Sequence, residues 1–282
     1  MRIAVASGKG GTGKTTVATN LAQMAARAGR PTAYLDCDVE EPNGHIFLKP
    51  EIEEERPIEK LVPAVDPRLC THCGACAGIC RFGAVASLPN KTLVFAELCH
   101  ACGGCELVCP VDAIHEAPLT IGTLRLGRSE AIRFVEGVLN VGEAMSPPAI
   151  RAVKAAAPQA SLVLLDAPPG TSCPVVETVR GCDLVLLVTE PTPFGLHDLA
   201  LAVEMVRAMR LPLGVVVNRA DVGDRKVHEY CKGHRIPIMA EIPDDRAVAE
   251  AYSRGLTISD AVPGFAERID GLLARIDKGV GR

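Results

Sequence analysis

Two groups of residues in this chain of 282 amino acids have the types and spacing that bind inorganic groups. Eight of the 12 cysteines form two copies of the pattern CxxCxxCxxxC: Cys70, Cys73, Cys76 and Cys80, then Cys99, Cys102, Cys105 and Cys109. This spacing is typical of iron–sulfur clusters, although CxxC pairs also suit a tetrahedral zinc ion. Residues 8–15 read GKGGTGKT and satisfy the phosphate-binding consensus GxxxxGK(S/T). The sequence therefore predicts that one polypeptide binds both a metal and a nucleotide.

The glycine-rich loop has a physical reason for each of its residue types. Its glycines let backbone N–H groups curl round phosphate oxygens, and the N-terminus of the following helix adds partial positive charge. We expect Lys14 to hold the β- and γ-phosphates and the Thr15 hydroxyl to bind Mg²⁺. The predicted nucleotide-binding residues of the loop are Gly8, Lys9, Gly10, Gly11, Thr12, Gly13, Lys14, Thr15 and Thr16.

Alternating strands and helices must position this loop. Residues 3–6 are predicted as a buried strand, and residues 14–28 as a helix that ends at Gly29 and Pro31. Further strands are predicted at residues 32–35, 162–165, 184–188, 213–217 and 237–240, with helix-length segments between them, such as residues 196–209. This alternation predicts a doubly wound, mostly parallel α/β sheet.

The alternation breaks between about residues 51 and 119. The acidic run at residues 51–55 is predicted to be a solvated linker, and the cysteine-rich segment follows it. Within that segment, the stretches that begin at Cys70 and Cys99 align at an offset of 29 residues. A segment this small buries little apolar surface, so its order should depend on metal. We predict a first ATPase part (1–60), a small α+β insert (61–118) and a second ATPase part (119–282).

Composition excludes some classes of function. The net charge of −4 and the lack of a long Lys/Arg run argue against a nucleic-acid partner. No apolar run approaches the roughly 20 residues of a membrane helix, so stable membrane insertion is not expected. The first residues do not resemble a cleavable signal peptide, which predicts a cytoplasmic protein whose cysteines bind metal rather than form disulfides.

The cysteine-rich segment resembles the two-cluster bacterial ferredoxins, in which three closely spaced thiolates bind one 4Fe-4S cluster and the fourth reaches the other. The resemblance implies two 4Fe-4S clusters. It places Cys70, Cys73, Cys76 and Cys109 on the first cluster, and Cys80, Cys99, Cys102 and Cys105 on the second. Pro110 follows the second motif as in that family, whereas Arg81 stands at the equivalent place in the first.

The second lysine of the loop, Lys9 in KGGTGKT, resembles that of the deviant P-loop ATPases, the family of MinD, ParA and the nitrogenase iron protein. In that family the equivalent lysine crosses a dimer interface to the partner's nucleotide. The resemblance thus implies a slow, Mg²⁺-dependent ATPase with Lys9, Lys14 and Asp38 as catalytic residues. It also implies an ATP-bridged homodimer, or a heterodimer with a paralogue.

Other segments match the switches of that family. Asp36 and Asp38, in LDCDVEEPN, correspond to the first switch, where Asp38 would position the attacking water and Asp36 would support the metal shell. Asp166 corresponds to the Walker B aspartate, and Gly170 would let the second switch approach the γ-phosphate. The Mg²⁺ residues implied in this way are Thr15, Asp36, Asp38 and Asp166.

Asn218 matches the position at which that family recognises adenine, and its amide can both donate to and accept from the base; a loop-capping asparagine is the ordinary alternative. Pro243 and Asp244 would flank the base through backbone groups.

Four cysteines lie outside the motifs: Cys37, Cys173, Cys182 and Cys231. Most of them are expected to be small buried residues, with an interfacial or reactive role held open for Cys173. A subunit-bridging cluster like that of the nitrogenase iron protein needs a second cysteine upstream, and none lies between Cys109 and Cys173.

The carboxy-terminal stretch places five apolar residues on one helical face, which we expect to pack into the core rather than bind a membrane. They are Phe265, Ile269, Leu272, Leu273 and Ile276.

As a whole, the chain resembles MinD-like ATPases that carry a ferredoxin domain inserted after the first switch. Three functions follow from this resemblance. The favoured one is an ATP-gated electron carrier with an unidentified redox partner. The second is an iron–sulfur cluster scaffold or carrier that serves a client protein, although Mrp-type carriers typically use a carboxy-terminal CxxC that this sequence lacks. The third is a spatial or cell-division regulator with sensing clusters.

Overall fold

The computed structural model describes residues 1–279. Its strands are β1 (Arg2–Ala6), β2 (Thr32–Asp36), β3 (Glu51–Val65), β4 (Val85–Leu88), β5 (Lys91–Val94), β6 (Ile114–Ser129), β7 (Ile132–Leu139), β8 (Leu162–Asp166), β9 (Leu184–Thr189), β10 (Leu213–Asn218) and β11 (Ile238–Ile242). Its helices are α1 (Lys14–Arg27), α2 (Gly44–Leu48), α3 (Ala75–Ile79), α4 (Gly104–Leu107), α5 (Pro147–Ala155), α6 (Cys173–Val179), α7 (Pro193–Ala208), α8 (Lys226–Gly233), α9 (Arg246–Ser253), α10 (Ile258–Ala261) and α11 (Phe265–Asp277).

Nine strands form one sheet in the order β11-β10-β9-β1-β8-β2-β7-β6-β3. All neighbouring pairs from β11 to β7 are parallel, and β6 runs antiparallel to both β7 and β3. The predicted doubly wound, mostly parallel sheet is confirmed. Each of the six parallel strands and the first helix predicted from local pattern begins and ends within two residues of its predicted position.

Two apolar layers cover the sheet, one on each face. Along β1, Ile3 and Val5 belong to one layer, while Ala4 and Ala6 belong to the other. Strands that are buried on both faces have continuous apolar sequences rather than alternating ones, and these runs mark the central strands in the sequence. The predicted apolar face of α11 is confirmed, because all five of its residues are buried in the first layer.

The prediction of a linker at residues 51–55 is wrong. These residues begin β3, a strand of 15 residues at the edge of the sheet. The glutamates pair across to β6: Glu55 lies 2.9 Å from Arg125, and Glu53 lies 3.0 Å from Arg128. Opposite charges stabilise cross-strand neighbours, and charged residues are common on edge strands. The predicted domain boundaries at residues 60 and 118 consequently fall inside the β3–β6 hairpin.

The hairpin carries residues 66–113, which we call the cysteine segment. It contains α3, the small β4–β5 sheet and α4, and it preserves the sequence repeat in three dimensions. The helices α3 and α4 begin 29 residues apart. Left-handed backbone recurs at the same offset in three pairs: His72 with Ala101, Gly74 with Gly103, and Gly83 with Asp112. The repeat is therefore structural as well as sequential.

Little apolar core supports the cysteine segment. Its cluster of buried residues consists of Cys76, Val85 and Ile114, with Val65 and three further cysteines packed against them. So small a core supplies little of the free energy of folding, which agrees with the expectation that metal contributes to order.

A buried ion pair ties the hairpin to the loop that precedes α5. The Lys60 ammonium lies 2.8 Å from a carboxylate oxygen of Glu143, and the Lys60 side chain is 0% exposed. We expect Lys60→Met to lower the free energy of unfolding by about 3 to 5 kcal/mol, because it leaves Glu143 buried without its cation. The double variant Lys60→Met/Glu143→Leu should recover most of that loss. Urea denaturation of the three proteins checks this, and equal losses in the single and double variants would contradict it.

No helix within residues 1–279 is long and apolar enough to cross a lipid bilayer.

Candidate nucleotide site and cysteine cavities

A cavity of about 400 Å³ lies at the carboxyl ends of the central strands. Ten of the predicted nucleotide-site residues line it: Gly10, Gly11, Gly13, Lys14, Thr15, Thr16, Asp38, Asn218, Pro243 and Asp244. Ligands of open α/β sheets bind at this edge. The fold thus brings together residues that are more than 200 positions apart in the sequence.

Three loop residues predicted to bind nucleotide do not line this cavity. A side chain at Gly8 would overlap the backbone of Asp198 in α7, so this glycine permits close packing of the loop on that helix. Thr12 is buried, and the ammonium of Lys9 lies 3.5 Å from Glu190. Gly170, with a φ of 98°, follows Pro169, which does line the cavity.

Asn218, at the end of β10, holds the phosphate-binding loop through a hydrogen bond. Its amide nitrogen donates a 2.9 Å hydrogen bond to the carbonyl of Thr12. A Cβ at Gly13 would lie 2.6 Å from that nitrogen, and Gly13 has a φ of 94° at the start of α1. A side chain at position 13 would therefore be strained and would collide with the Asn218 amide. This bond matches the loop-capping alternative for Asn218, while the adenine assignment stays a prediction.

Carboxylates lie at the same register on three neighbouring strands: Asp166 at the end of β8, Asp36 at the end of β2 and Glu136 within β7. All three are at most 1% exposed. Burial and the charge of Asp166 raise the pKa of Asp36 well above its usual range. Burial also raises the pKa of Asp166, which the Thr15 hydroxyl and Lys14 lower in part.

Asp36 holds the loop that follows β2. It accepts hydrogen bonds from the backbone N–H groups of Asp38, Asn43 and Gly44, at 3.2, 3.2 and 2.9 Å. Both of its oxygens are thereby occupied by backbone donors. Asp36 thus orders the loop that carries Asp38, and its predicted contribution to the metal shell remains a prediction.

Asp38 is a carboxylate of the cavity wall with a raised pKa. Burial raises its pKa to about 6, while the charge of Lys14 opposes the shift. A carboxylate with a pKa this close to neutrality is well matched to accept a proton. Its place on the cavity wall and its raised pKa are compatible with the water-activating role, which stays a prediction.

Sequence reasoning missed a chain of charged residues that extends from this site. Glu136 accepts a 3.2 Å hydrogen bond from Arg125 and lies 3.0 Å from the His45 ring nitrogen. Arg125 in turn bonds Glu55 of β3 at 2.9 Å. The carboxylates of β8, β2 and β7 therefore continue, strand by strand, into the β3–β6 hairpin. A glutamate within the apolar strand IRFVEGVL was the sequence signal that could have revealed it.

A second chain of ion pairs links Lys9 to the base side of the cavity. Glu190 contacts both Lys9, at 3.5 Å, and Arg219, at 3.3 Å. Arg219 also lies 3.3 Å from Asp244. Neither Glu190 nor Arg219 was singled out from sequence.

The eight motif cysteines line two separate cavities. One is lined by Cys70, Cys73, Cys76 and Cys109. The other is lined by Cys80, Cys99, Cys102 and Cys105. Each cavity takes three cysteines from one motif and the fourth from the other, as the predicted ligand sets require. Within residues 1–279, no group of three or more His, Cys, Asp or Glu side chains converges closely enough to hold a single metal ion.

Backbone N–H groups point at several of these sulfurs. Ala84 donates to Cys80 at 3.3 Å, and Ala113 donates to Cys109 at 3.2 Å, in equivalent places of the repeat. Ala101 donates to Cys99 at 3.4 Å. Such donors stabilise the thiolate form that ligates metal, and they tune the reduction potentials of iron–sulfur clusters. The surroundings of the cysteines therefore fit metal-bound thiolates.

The other cysteines divide by burial. Cys37, Cys182 and Cys231 are buried, as predicted, and burial raises the pKa of Cys182 and of Cys231 to about 11, so both are inert thiols. Cys173 is exposed, and its predicted interfacial or reactive role stays a prediction.

The phosphate-binding loop precedes a helix at the carboxyl edge of a parallel sheet, and carboxylates lie on the neighbouring strands. These features define a P-loop nucleotide-binding protein. Residues 3–258 match the CobQ/CobB/MinD/ParA nucleotide binding domain. The chain belongs to that family.

Several known proteins are similar over most of their length. An uncharacterized protein of Methanocaldococcus jannaschii is 30% identical over 86% of each chain. An iron-sulfur cluster carrier protein of Pyrococcus furiosus is 25% identical over 100% of this chain and 89% of its own. The solved structure of MinD from Pyrococcus horikoshii, complexed with Mg-ADP, has a TM-score of 0.61 and 20% identity, and covers 99% of this chain and 97% of its own. That structure shows the shared fold.

Proposed function

We propose that this protein is a Mg²⁺-dependent ATPase that couples its nucleotide state to electron transfer through two 4Fe-4S clusters. One observation carries the proposal: the two four-cysteine cavities stand on a hairpin whose strands belong to the same sheet as the nucleotide site. Because β3 begins shortly after α2 ends, the loop of Asp38 and the hairpin are consecutive parts of the chain. A change in one can therefore reach the other over a short path.

The donor sets support clusters over the zinc alternative. Four sulfurs around one zinc ion, with bonds of about 2.3 Å, would converge on a single point. The cysteines here surround two cavities instead, and no group in the described residues converges on one ion. Bound 4Fe-4S clusters would supply one-electron chemistry. Cys73 and Cys102 are exposed, which would leave both clusters open to a redox partner.

The nucleotide site supplies groups for each part of ATP hydrolysis. Lys14, which is 7% exposed, would offset the phosphate charge within the cavity. Thr15 and Asp166 would hold Mg²⁺, and Asp38 would orient water and accept its proton. Lys9 would leave Glu190 and contact the nucleotide of a second subunit, which would form the ATP-bridged dimer implied by the family resemblance. Its ion pair with Glu190 keeps Lys9 at the surface next to the loop.

The chain of charged residues around Glu136 supplies a route that could couple the nucleotide site to the hairpin. His45, which follows the loop of Asp38, lies 3.0 Å from Glu136, and Arg125 connects Glu136 to Glu55 on β3. Movement of that loop on nucleotide binding would change the partners of the buried Glu136 carboxylate. Because an unpaired buried charge is costly, Arg125 and the hairpin would be expected to follow.

The proposal predicts that Mg-ATP shifts the midpoint potential of at least one cluster. Anaerobic redox titrations monitored by electron paramagnetic resonance, with and without Mg-ATP, measure the shift. A shift of about 59 mV corresponds to tenfold coupling for a one-electron couple. By linkage, the ATP affinity of the reduced and oxidised proteins must then differ by the same factor.

Two variants sharpen this measurement. Lys14→Ala should abolish the shift by removing nucleotide binding. Arg125→Gln retains a polar side chain opposite Glu136, and it should reduce the shift by at least half while hydrolysis continues. If the wild-type protein carries two clusters and hydrolyses ATP, but its potentials are equal in both titrations, the coupling proposal is refuted.

A second candidate function is an iron–sulfur cluster carrier. It is favoured by the similarity to proteins that are named iron-sulfur cluster carriers, which extends over all of this chain. Incubation of the loaded protein with an apo-ferredoxin distinguishes the two functions. ATP-dependent loss of iron to the acceptor supports the carrier, whereas reduction of a pre-loaded acceptor without loss of iron supports electron transfer.

A further inference from the structure

Tyr34 is a wholly buried tyrosine whose hydroxyl contacts the nucleotide machinery. It lies on β2 and is 0% exposed, and its hydroxyl donates a 2.9 Å hydrogen bond to Asp166 Oδ2 on β8. Its ring stacks on Phe134 with centroids 5.7 Å apart and an interplanar angle of 12°. A buried tyrosine hydroxyl needs a hydrogen-bond partner, and the partner that the structure gives this one is the Asp166 carboxylate.

The bond from Tyr34 gives the two oxygens of Asp166 different surroundings. Oδ2 accepts the bond from Tyr34, whereas Oδ1 is buried and has no partner at hydrogen-bond distance among the described residues; the Thr15 hydroxyl lies near enough only to lower the pKa of Asp166. A buried carboxylate oxygen without a partner is unfavourable, so such an atom in a polar site marks a missing ligand or water. The fixed hydroxyl favours one orientation of the carboxylate plane, in which one oxygen is bound by Tyr34 and the other is free to bind a ligand.

Gly44, the first residue of α2, packs against the Tyr34 hydroxyl and ring. A Cβ at Gly44 would lie 2.7 Å from Tyr34 Cζ, far inside van der Waals contact. The Gly44 N–H donates a 2.9 Å hydrogen bond to Asp36. Gly44 therefore bonds to Asp36 and also packs on Tyr34, whose hydroxyl bonds to Asp166. Only a glycine allows this approach.

We propose that Tyr34 is a positioning residue for the magnesium shell. It holds Asp166 so that Oδ1 remains available for Mg²⁺ or for a water bound to it, next to Thr15. The inference rests on the proposed function, because it takes Mg-nucleotide as the ligand of the cavity. Residues that orient a metal-binding group typically change metal affinity by 10- to 100-fold when they are removed.

The test is Tyr34→Phe, which removes the hydroxyl and keeps the stacked ring. ATP hydrolysis is measured against free Mg²⁺, and ADP binding is measured in EDTA. The half-saturating Mg²⁺ concentration should rise about tenfold. The maximal rate should change by less than about threefold, and ADP affinity in EDTA should be unchanged. A merely structural role would lower the rate and the melting temperature together without this separation.

Phe134→Leu is the matched control, because it removes the stacking partner and keeps the hydroxyl. Its half-saturating Mg²⁺ concentration should stay within about twofold of wild type, even where the melting temperature falls. Gly44→Ala is a second test that keeps all the metal-site side chains. It should raise the Mg²⁺ requirement in the same direction as Tyr34→Phe, because its methyl group displaces the tyrosine ring.

A Tyr34→Phe protein with a wild-type Mg²⁺ requirement overturns the inference and leaves the ATPase proposal intact. A wild-type protein whose ATP hydrolysis does not depend on Mg²⁺ overturns both. Should Tyr34→Phe fail to fold, Gly44→Ala decides alone, and an unchanged Mg²⁺ requirement in that variant overturns the inference.

Discussion

Replacing Asp38 with asparagine is expected to lower the rate of ATP hydrolysis by about 10²- to 10⁴-fold and to leave ATP binding within a few-fold of wild type. The range is that of a lost general base. The carboxylate lines the cavity beside Lys14, and its pKa of about 6 makes it a proton acceptor at neutral pH. An amide cannot accept that proton. Phosphate release measured under saturating Mg-ATP checks the rate, and equilibrium dialysis checks binding.

The same pKa predicts how the proposed hydrolysis depends on pH. Activity should fall as the pH decreases through about 6, because Asp38 is then protonated. The stability of the folded protein depends on pH in the opposite direction from the activity. Since burial raises the folded-state pKa of Asp38 above its unfolded value, its contribution to stability is present at low pH and is lost as the pH rises through about 6. Asp38→Asn should therefore stabilise the nucleotide-free protein at pH 8 by about 1 to 2 kcal/mol and have little effect near pH 4.

Glu40→Gln is the matched control for Asp38→Asn, because it removes an exposed carboxylate two residues away. Its hydrolysis rate should stay within about twofold of wild type. The Asp38→Asn protein also tests the dimer, since it should retain ATP. Light scattering should then report a mass twice that of the nucleotide-free protein. Hydrolysis at the wild-type rate in Asp38→Asn would exclude Asp38 as the base.

Cys109→Ala is expected to remove one cluster of the two and to spare the other. Iron per chain should fall from about eight to about four, because a 4Fe-4S cluster that lacks one of four thiolates is labile. The structure places Cys109 in the cavity of the first motif, with Cys70, Cys73 and Cys76, although it belongs to the second motif in sequence. Anaerobic iron and sulfide analysis of the purified protein measures this loss.

Double variants reveal which cavity Cys109 serves. Cys70→Ala/Cys109→Ala damages one cavity, so about four irons should remain. Cys99→Ala/Cys109→Ala damages both, so iron should be nearly absent. Cys173→Ala, at an exposed cysteine outside both cavities, should keep the full content. If instead each motif binds its own cluster, the iron contents of the two double variants will be interchanged.

Features with a local physical cause were predicted correctly from sequence. The central strands are buried on both faces, so continuous apolar runs such as LVLLD identify them without knowledge of their neighbours. The face of α11 follows from helical periodicity, and the phosphate-binding loop from a strand, glycines and a helix that are contiguous in the chain. The sequence repeat at an offset of 29 residues recurs in the backbone of the cysteine segment.

Tertiary structure alone decided the features whose cause lies far away in the chain. The acidic run of β3 looks like a linker because the arginines that pair with its glutamates lie on β6, about 70 residues later. Tyr34 and Asp166 are separated by 132 positions, and nothing in either strand signals their hydrogen bond. The row from Asp166 through Glu136 to Glu55 exists only because β8, β2, β7, β6 and β3 pair in that register. Sequence pattern records how each segment is buried, whereas strand pairing decides which buried charges meet.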